Sequence, residues 1–320
     1  MCEQSEVLAR DNDMKNFSEF IQKLSEQHKS NIEEKVSAVT SLIAASSILR
    51  ETDNDDAYTV IFDRILKGLI TGDPDDFHNI AVDYSRHQQP ERASIICQTG
   101  IKTWPGSIDL YADALTYMLD AGNLVVASEL AQNMLNNCPD RAKWSWRGFS
   151  FLLEFYLKLQ PKGYEEIIDK LIEDYKAYLP YEERAYLCDA ERYEKIGQFD
   201  KAITCLEEAI SKLNAPQCAL TLTDIYFERA KYEDASRVAT LGIAYAAEPQ
   251  PSIRTAYLLF IRALSKDALY LKNGCSSPVE AKQILEEYKL AKKYVSKSEE
   301  KVIDLRIDIL TTYSSTHGDE

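Results

Sequence analysis

Glycine and proline are scarce, at 11 and 10 of 320 residues, which excludes collagen-like, linker-rich and low-complexity chains. No window holds 18 consecutive apolar residues, so no membrane-spanning helix is expected. The first residues, MCEQSEVLARDNDMKNF, lack an apolar core behind a basic start, and the chain reads as cytoplasmic, without a secretory leader. Cation clusters are also missing. Lys and Arg number 37 against 52 Asp and Glu, for a net charge of −15 and a pI near 4.9. Neutralising the phosphates of a duplex needs clustered cations, so nucleic acid is excluded as a partner. The acidity is uneven. Residues 251–320 carry 11 basic and 10 acidic residues, a net +1, which leaves −16 on residues 1–250.

The side chains of catalysis and metal binding are also sparse. Seven cysteines, at 2, 97, 138, 188, 205, 218 and 275, form no CxxC pair, and their odd number does not suit a disulfide framework. Cys97 and Cys205 fall on apolar helical stripes and read as buried thiols. His28, His78, His87 and His317 include no i, i+4 pair, so no zinc site is expected; His87 reads as a solvated residue of an inter-helix turn. Phosphate-cradling glycine loops and the Gly-x-Ser-x-Gly elbow are absent. Asp53-Asn54-Asp55-Asp56 lacks the glycine and glutamate of a calcium loop and reads as helix-capping acids, as do Asp73, Asp75 and Asp76. Carboxylate pairs such as Glu165-Glu166 and Glu207-Glu208 sit opposite apolar stripes as solvated faces. We expect no enzyme and no cofactor.

What the chain does have is a repeat. In residues 183–216, Tyr186, Ala190 and Tyr193 precede a turn at Gly197, and Phe199, Ala202, Leu206 and Ala209 follow at helical spacing. Two amphipathic helices joined by Gly-Gln result, with small residues permitting close approach and large ones filling the gap. The frame recurs at about 34 residues. Residues 216–249 place Tyr226 before the turn and Tyr232, Ala235 and Gly242 after it; residues 108–141 contain Tyr111, Gly122, Leu124, Ala127 and Pro139; residues 74–107 contain Phe77, Ala81, Tyr84, Ala93, Gly100 and Pro105. The alanines at 93, 127, 202 and 235 are separated by 34, 75 and 33 residues, and the 75 leaves room for one further unit of 41. Trp144, Gly148, Phe151, Tyr164, Ile167 and Leu171 mark that unit, and its excess suggests one or two lengthened helices.

This pattern resembles the tetratricopeptide repeat over residues 74–249. The resemblance implies an all-α fold: a right-handed α-solenoid of antiparallel helix pairs, the TPR-like superhelix. The expected organisation is a tail over 1–13 and an N-terminal cap with a degenerate repeat over 14–73, its helices at 14–28, 31–50 and 55–71. The array follows over 74–250, in units 74–107, 108–141, 142–182 (expanded), 183–216 and 217–250. A divergent helix pair and a closing helix (299–313) occupy 251–313, and 314–320 form a tail.

In the resembled family the first helix of each pair lines a concave groove. Carrying that frame over gives Asp109, Asp120, Glu191, Glu194, Asp224 and Glu228 as lining acids, Phe149 and Phe227 as lining aromatics, and Trp146 beside them; Asp75 and His78 occupy slots too. The family's lysine–asparagine–arginine clamp for acidic chaperone tails is not matched, since Asp113 and Cys188 stand in its slots and Arg184 is alone. The lining therefore implies a non-enzymatic protein-interaction scaffold for a basic or apolar segment of a partner protein or peptide. The competing reading is a peptide-responsive regulator whose repeats control an N-terminal helical effector module over 14–72.

Overall fold

The structure, a computed structural model, describes residues 34–317 except 53, 160–162, 246–252 and 276. The tail over 1–13 and the helix expected over 14–28 lie outside the described residues. The chain divides into two compact units, Met1–Phe155 and Tyr156–Glu320.

In the first unit, α1 (Leu42–Thr52) and α2 (Asp55–Leu66) precede the hairpins α3 (Pro74–Arg86) with α4 (Pro90–Thr103) and α5 (Ile108–Asp120) with α6 (Leu124–Asn137); α7 (Trp146–Lys158) spans the division. The second unit holds α8 (Glu165–Tyr178), the hairpin of α9 (Arg184–Lys195) and α10 (Phe199–Leu213), and that of α11 (Pro216–Glu228) and α12 (Tyr232–Tyr245). The long α13 (Ile253–Lys272), α14 (Pro278–Lys292) and α15 (Lys297–His317) complete it. No strand occurs among the described residues; Ser41 and Thr71 form an isolated bridge. The fold is all-α, as expected: within each unit the helix hairpins pack on their neighbours in the manner of tetratricopeptide repeats.

Helix starts follow local chemistry. Asp73 and Asp76 form a reciprocal capping box at α3, and the side chains of Asn54, Asn123 and Ser277 accept from backbone N–H groups at the starts of α2, α6 and α14. Proline occupies the first helical position of α3, α4, α11 and α14, where no donor is needed. Each turn within a hairpin carries a left-handed residue: Gln88, Gly122, Gly163, Gly197 and Ala230 have φ of 58°, 73°, 98°, 74° and 56°. Their spacings repeat those of the buried residues Ala93, Ala127, Ile168, Ala202 and Ala235, each fully buried five residues further on. Gly100 and Gly242 show why small residues matter. A Cβ on Gly100 would lie 2.8 Å from Phe77 Cγ and 2.9 Å from Leu110 Cδ1; on Gly242 it would meet Leu258 Cδ1 at 2.8 Å.

Four expectations need correction. The helices of the expanded unit are not lengthened: α7 and α8 have 13 and 14 residues, like α5 and α6. The extra residues go into connections instead, 138–145 before α7 and 159–164 after it, against 104–107 and 121–123 in the regular unit. The long connection is anchored by Trp144, which is buried against Phe149, stacks under Arg141 and donates its indole N–H to Cys138 O at 2.9 Å. In that unit the small-residue slot belongs to Ile168, not Ile167. The helix expected over 31–50 is broken at 38–41, where Thr71 N donates to Thr40 O and Leu42 N to Thr71 O, so that the helical residues 34–37 are separated from α1. Finally, α15 runs to His317, taking in residues assigned to the tail.

Two substitutions test this packing. Gly100→Ala should destabilise the protein by about 1–3 kcal/mol, because the new methyl displaces Phe77 and Leu110. Ala230→Gly should stabilise it by about 1 kcal/mol by relieving a left-handed alanine. Denaturant midpoints of both variants against the parent measure the two shifts, and equal midpoints for Gly100→Ala would contradict the close approach.

Candidate functional site

The first helices of the hairpins are treated differently in the two units. In the first unit Asp83, Asp109 and Asp113 have donors. Buried Asp113 on α5 contacts His78 Nδ1 of α3 at 2.6 Å and accepts from the Arg147 guanidinium of α7. Asp83, also buried, accepts from Ser46 Oγ and, at 3.0 Å, from Arg50 Nε of α1. Asp109 accepts from Ser145 Oγ at 2.7 Å. A ladder of donors thus ties α1, α3, α5 and α7 side by side, and a carboxylate buried with such partners has its charge compensated.

The second unit has comparable internal pairs. Asp189 receives Lys176 Nζ at 2.5 Å and Arg192, and Asp267 receives both Arg306 Nε and Nη2 at 2.5 Å and the Tyr288 hydroxyl at 2.9 Å. Beside these pairs lies a different group. Burial pushes the Glu194 carboxyl on α9 above its ordinary range, with Glu191 and Glu228 adding like charge and Arg229 opposing. Asp224 on α11 is raised by burial; the hydroxyl of Tyr257, donated at 2.9 Å, draws it back, and Glu228 adds repulsion. The Tyr257 phenol on α13 is itself pushed up, first by burial, then by Asp224, Glu299 and Glu228. Electrostatic coupling therefore links α9, α11, α13 and α15 in an acidic patch, with Arg229 and Lys195 as opposing charges.

Of the groove residues expected from sequence, the structure brings together Glu191, Glu194, Asp224 and Glu228. Phe227 lies half-buried against the adjoining apolar core, its ring 5.6 Å from Tyr232. Glu191 keeps a 3.3 Å ion pair with Lys195 one turn on. Asp109, Asp120 and Trp146 belong to the first unit; Asp120 is exposed, and Trp146 is half-buried with its ring 6.2 Å from Phe151. Phe149 is a correction. It is fully buried against Trp144 and presents nothing to a ligand, because the insertion before α7 folds over it. His87 is another: its ring stacks on Tyr58 at 4.0 Å and its Nε2 lies 2.8 Å from Asp55, so it is not a free solvated side chain.

Sequence reasoning missed Tyr257, because the frame was carried only to residue 249; its place 33 residues after Asp224 was the available signal. Cys97 and Cys205 are buried as expected, and burial raises both thiols, that of Cys205 to about 12. No group of His, Cys, Asp or Glu among the described residues could hold a metal ion. No described helix is long and apolar enough to cross a membrane. An open cleft of about 600 Å³ lined by Asp55, Thr59, Gln88, Arg92 and their neighbours lies in the first unit and shares no residue with the acidic patch.

The hairpin frame, its left-handed turns and its buried small residues together decide the architecture. The fold is of the tetratricopeptide type. Solved structures similar to this chain include TTC0263, a thermophilic tetratricopeptide protein of Thermus thermophilus. It shows 19% identity and a TM-score of 0.44 over 61% of this chain and 98% of that one. A tetratricopeptide repeat protein of Parabacteroides merdae is similar at 14% identity and a TM-score of 0.48, covering 87% and 99%. PilF of Pseudomonas aeruginosa is similar at 17% and 0.44, covering 67% and 97%. No protein-family model matches the chain, and no curated protein matches it.

The patch makes a signed prediction. A carboxyl whose folded pKa lies above its unfolded value disfavours the folded state once pH rises through that range, and has no effect well below it. Asp224→Asn keeps an acceptor for Tyr257 and removes the charge. It should raise the melting temperature at pH 7, with the gain shrinking toward zero as pH falls below roughly 4. A loss of stability at pH 7 would contradict the burial and repulsion assigned to this group.

Proposed function

We propose that the tetratricopeptide-type array is a non-enzymatic scaffold that holds a basic segment of a partner protein or peptide on the first-helix face of its second unit. The observation that carries this reading is the carboxylate group Glu191, Glu194, Asp224 and Glu228, spread over successive first helices and only partly neutralised. Stacked hairpins provide a stiff surface without a closed cavity, which suits the display of charge to an extended or helical ligand. A cationic segment supplies the missing countercharge, and it gains most at Glu194 and Asp224, where burial and like charge already oppose ionisation. Phe227 and Tyr257, half-buried at the same face, offer apolar contact to the ligand's side-chain stems.

In the first unit Asp109 is engaged by Ser145, Trp146 packs near Phe151 and Phe149 is in the core, so the proposal gives binding to the second unit and leaves Asp120 an exposed acid outside it. The regulatory alternative requires an effector module over 14–72, of which residues 14–33 lie outside the described part.

A synthetic lysine- and arginine-rich peptide, titrated calorimetrically, tests the proposal. Binding should weaken as salt rises, and also as pH falls toward the carboxylate range, with the loss setting in earlier than for ordinary carboxylates because the Glu194 and Asp224 carboxyls are raised. Substituting glutamine at Glu191, Glu194 and Glu228 together should reduce affinity about tenfold or more. Unchanged affinity in that variant sinks the proposal while leaving the fold assignment intact.

A further inference from the structure

Helix α15 has two apolar faces. The inner one is accounted for: Ile303 and Leu310 are fully buried in the core of the second unit, Ile307 packs against it, and Arg306 is held by Asp267. The outer one is not. Val302, Leu305 and Ile309 are 46%, 62% and 46% exposed, and no described helix covers them. Their spacing of three and then four residues sets them in one stripe along the helix, the seam of a two-helix pairing.

One flank of this stripe carries Lys301 and Asp308, seven residues apart and both exposed. Neither takes part in an ion pair among the described residues, whereas nearby Glu300 and Asp304 are both paired with Lys292. We propose that this face joins two copies of the chain, α15 of one packing antiparallel on α15 of the other about a twofold axis near Leu305. In an antiparallel twofold pair the same flank of each helix meets its counterpart, so Lys301 of one copy faces Asp308 of the second, and the reverse contact repeats it. A parallel pair would instead set this flank against the opposite one, where Arg306 is already committed to Asp267. The outward stripe and its flanking charges are thus self-complementary, which is what a second copy requires and an unrelated partner does not.

Sedimentation equilibrium of the full chain over a concentration series reaching roughly 0.5 mM tests this. The expected species is a dimer of twice the 36.4 kDa chain mass. Leu305→Glu should give a monomer with unchanged helicity, since the side chain points to water in one copy; Ile309→Ser serves as a second, gentler variant. Lys301→Glu alone should weaken dimerisation about five- to tenfold, and adding Asp308→Lys should restore it. A wild-type chain that stays monomeric throughout, or a dimer indifferent to Leu305→Glu, overturns the proposal. A dimer that Leu305→Glu abolishes but that does not respond to the charge exchange overturns the antiparallel arrangement.

Discussion

A two-helix hairpin of about 34 residues cannot bury both of its apolar stripes on itself, and every feature of this protein follows from that shortfall. The hairpin must meet a neighbour, and it must meet it closely. Ala93, Ala127, Ala202 and Ala235 lie fully buried at the contact, and Gly100 and Gly242 leave no room for a methyl group beside Phe77, Leu110 and Leu258. Small residues set the distance between helices, large ones such as Tyr84, Tyr175 and Phe149 fill what remains, and a left-handed residue reverses the chain at each turn. Stacking of this kind is local, so each unit adds surface without needing a central cavity.

Burying helix faces against one another also dictates the treatment of charge. An aspartate inside such a stack is tolerated when donors surround it, and Asp83, Asp113, Asp189 and Asp267 all have them. Glu194 and Asp224 do not meet that condition fully. They sit half-buried among further acids, with one arginine and one tyrosine for company, and their ionisation is opposed. Groupings of this kind cluster at sites where a ligand relieves them, which is the physical basis for proposing a binding role for this face.

Much of the fold was legible from residue spacing alone, because the 33- to 34-residue recurrence of small and aromatic residues is imposed directly by helix contact. The 41-residue unit was located from the same recurrence, but its extra length was misplaced. Nothing in periodicity distinguishes a longer helix from a longer connection, and the anchoring of the connection by Trp144 depends on the Cys138 carbonyl and Phe149, contacts that no spacing rule encodes. The break at 38–41 was hidden for a related reason: the apolar pattern continues across it, and backbone pairing with Thr71, thirty residues on, produces it. For the candidate site, sequence identified the acids of α9 and α11 but could not tell compensated from uncompensated ones. Asp109 and Glu194 look alike in a slot assignment, and only the neighbouring segment decides that Ser145 donates to one while Glu228 confronts the other.

Hydrogen exchange of the protein, free and saturated with a cationic peptide, tests the central claim most directly. The account predicts slowed exchange confined to α9, α11 and the start of α13, the helices that carry Glu191, Glu194, Asp224, Glu228 and Tyr257, with α10 and α12 unchanged. Protection appearing on α10 and α12 instead, or in the first unit alone, would contradict it.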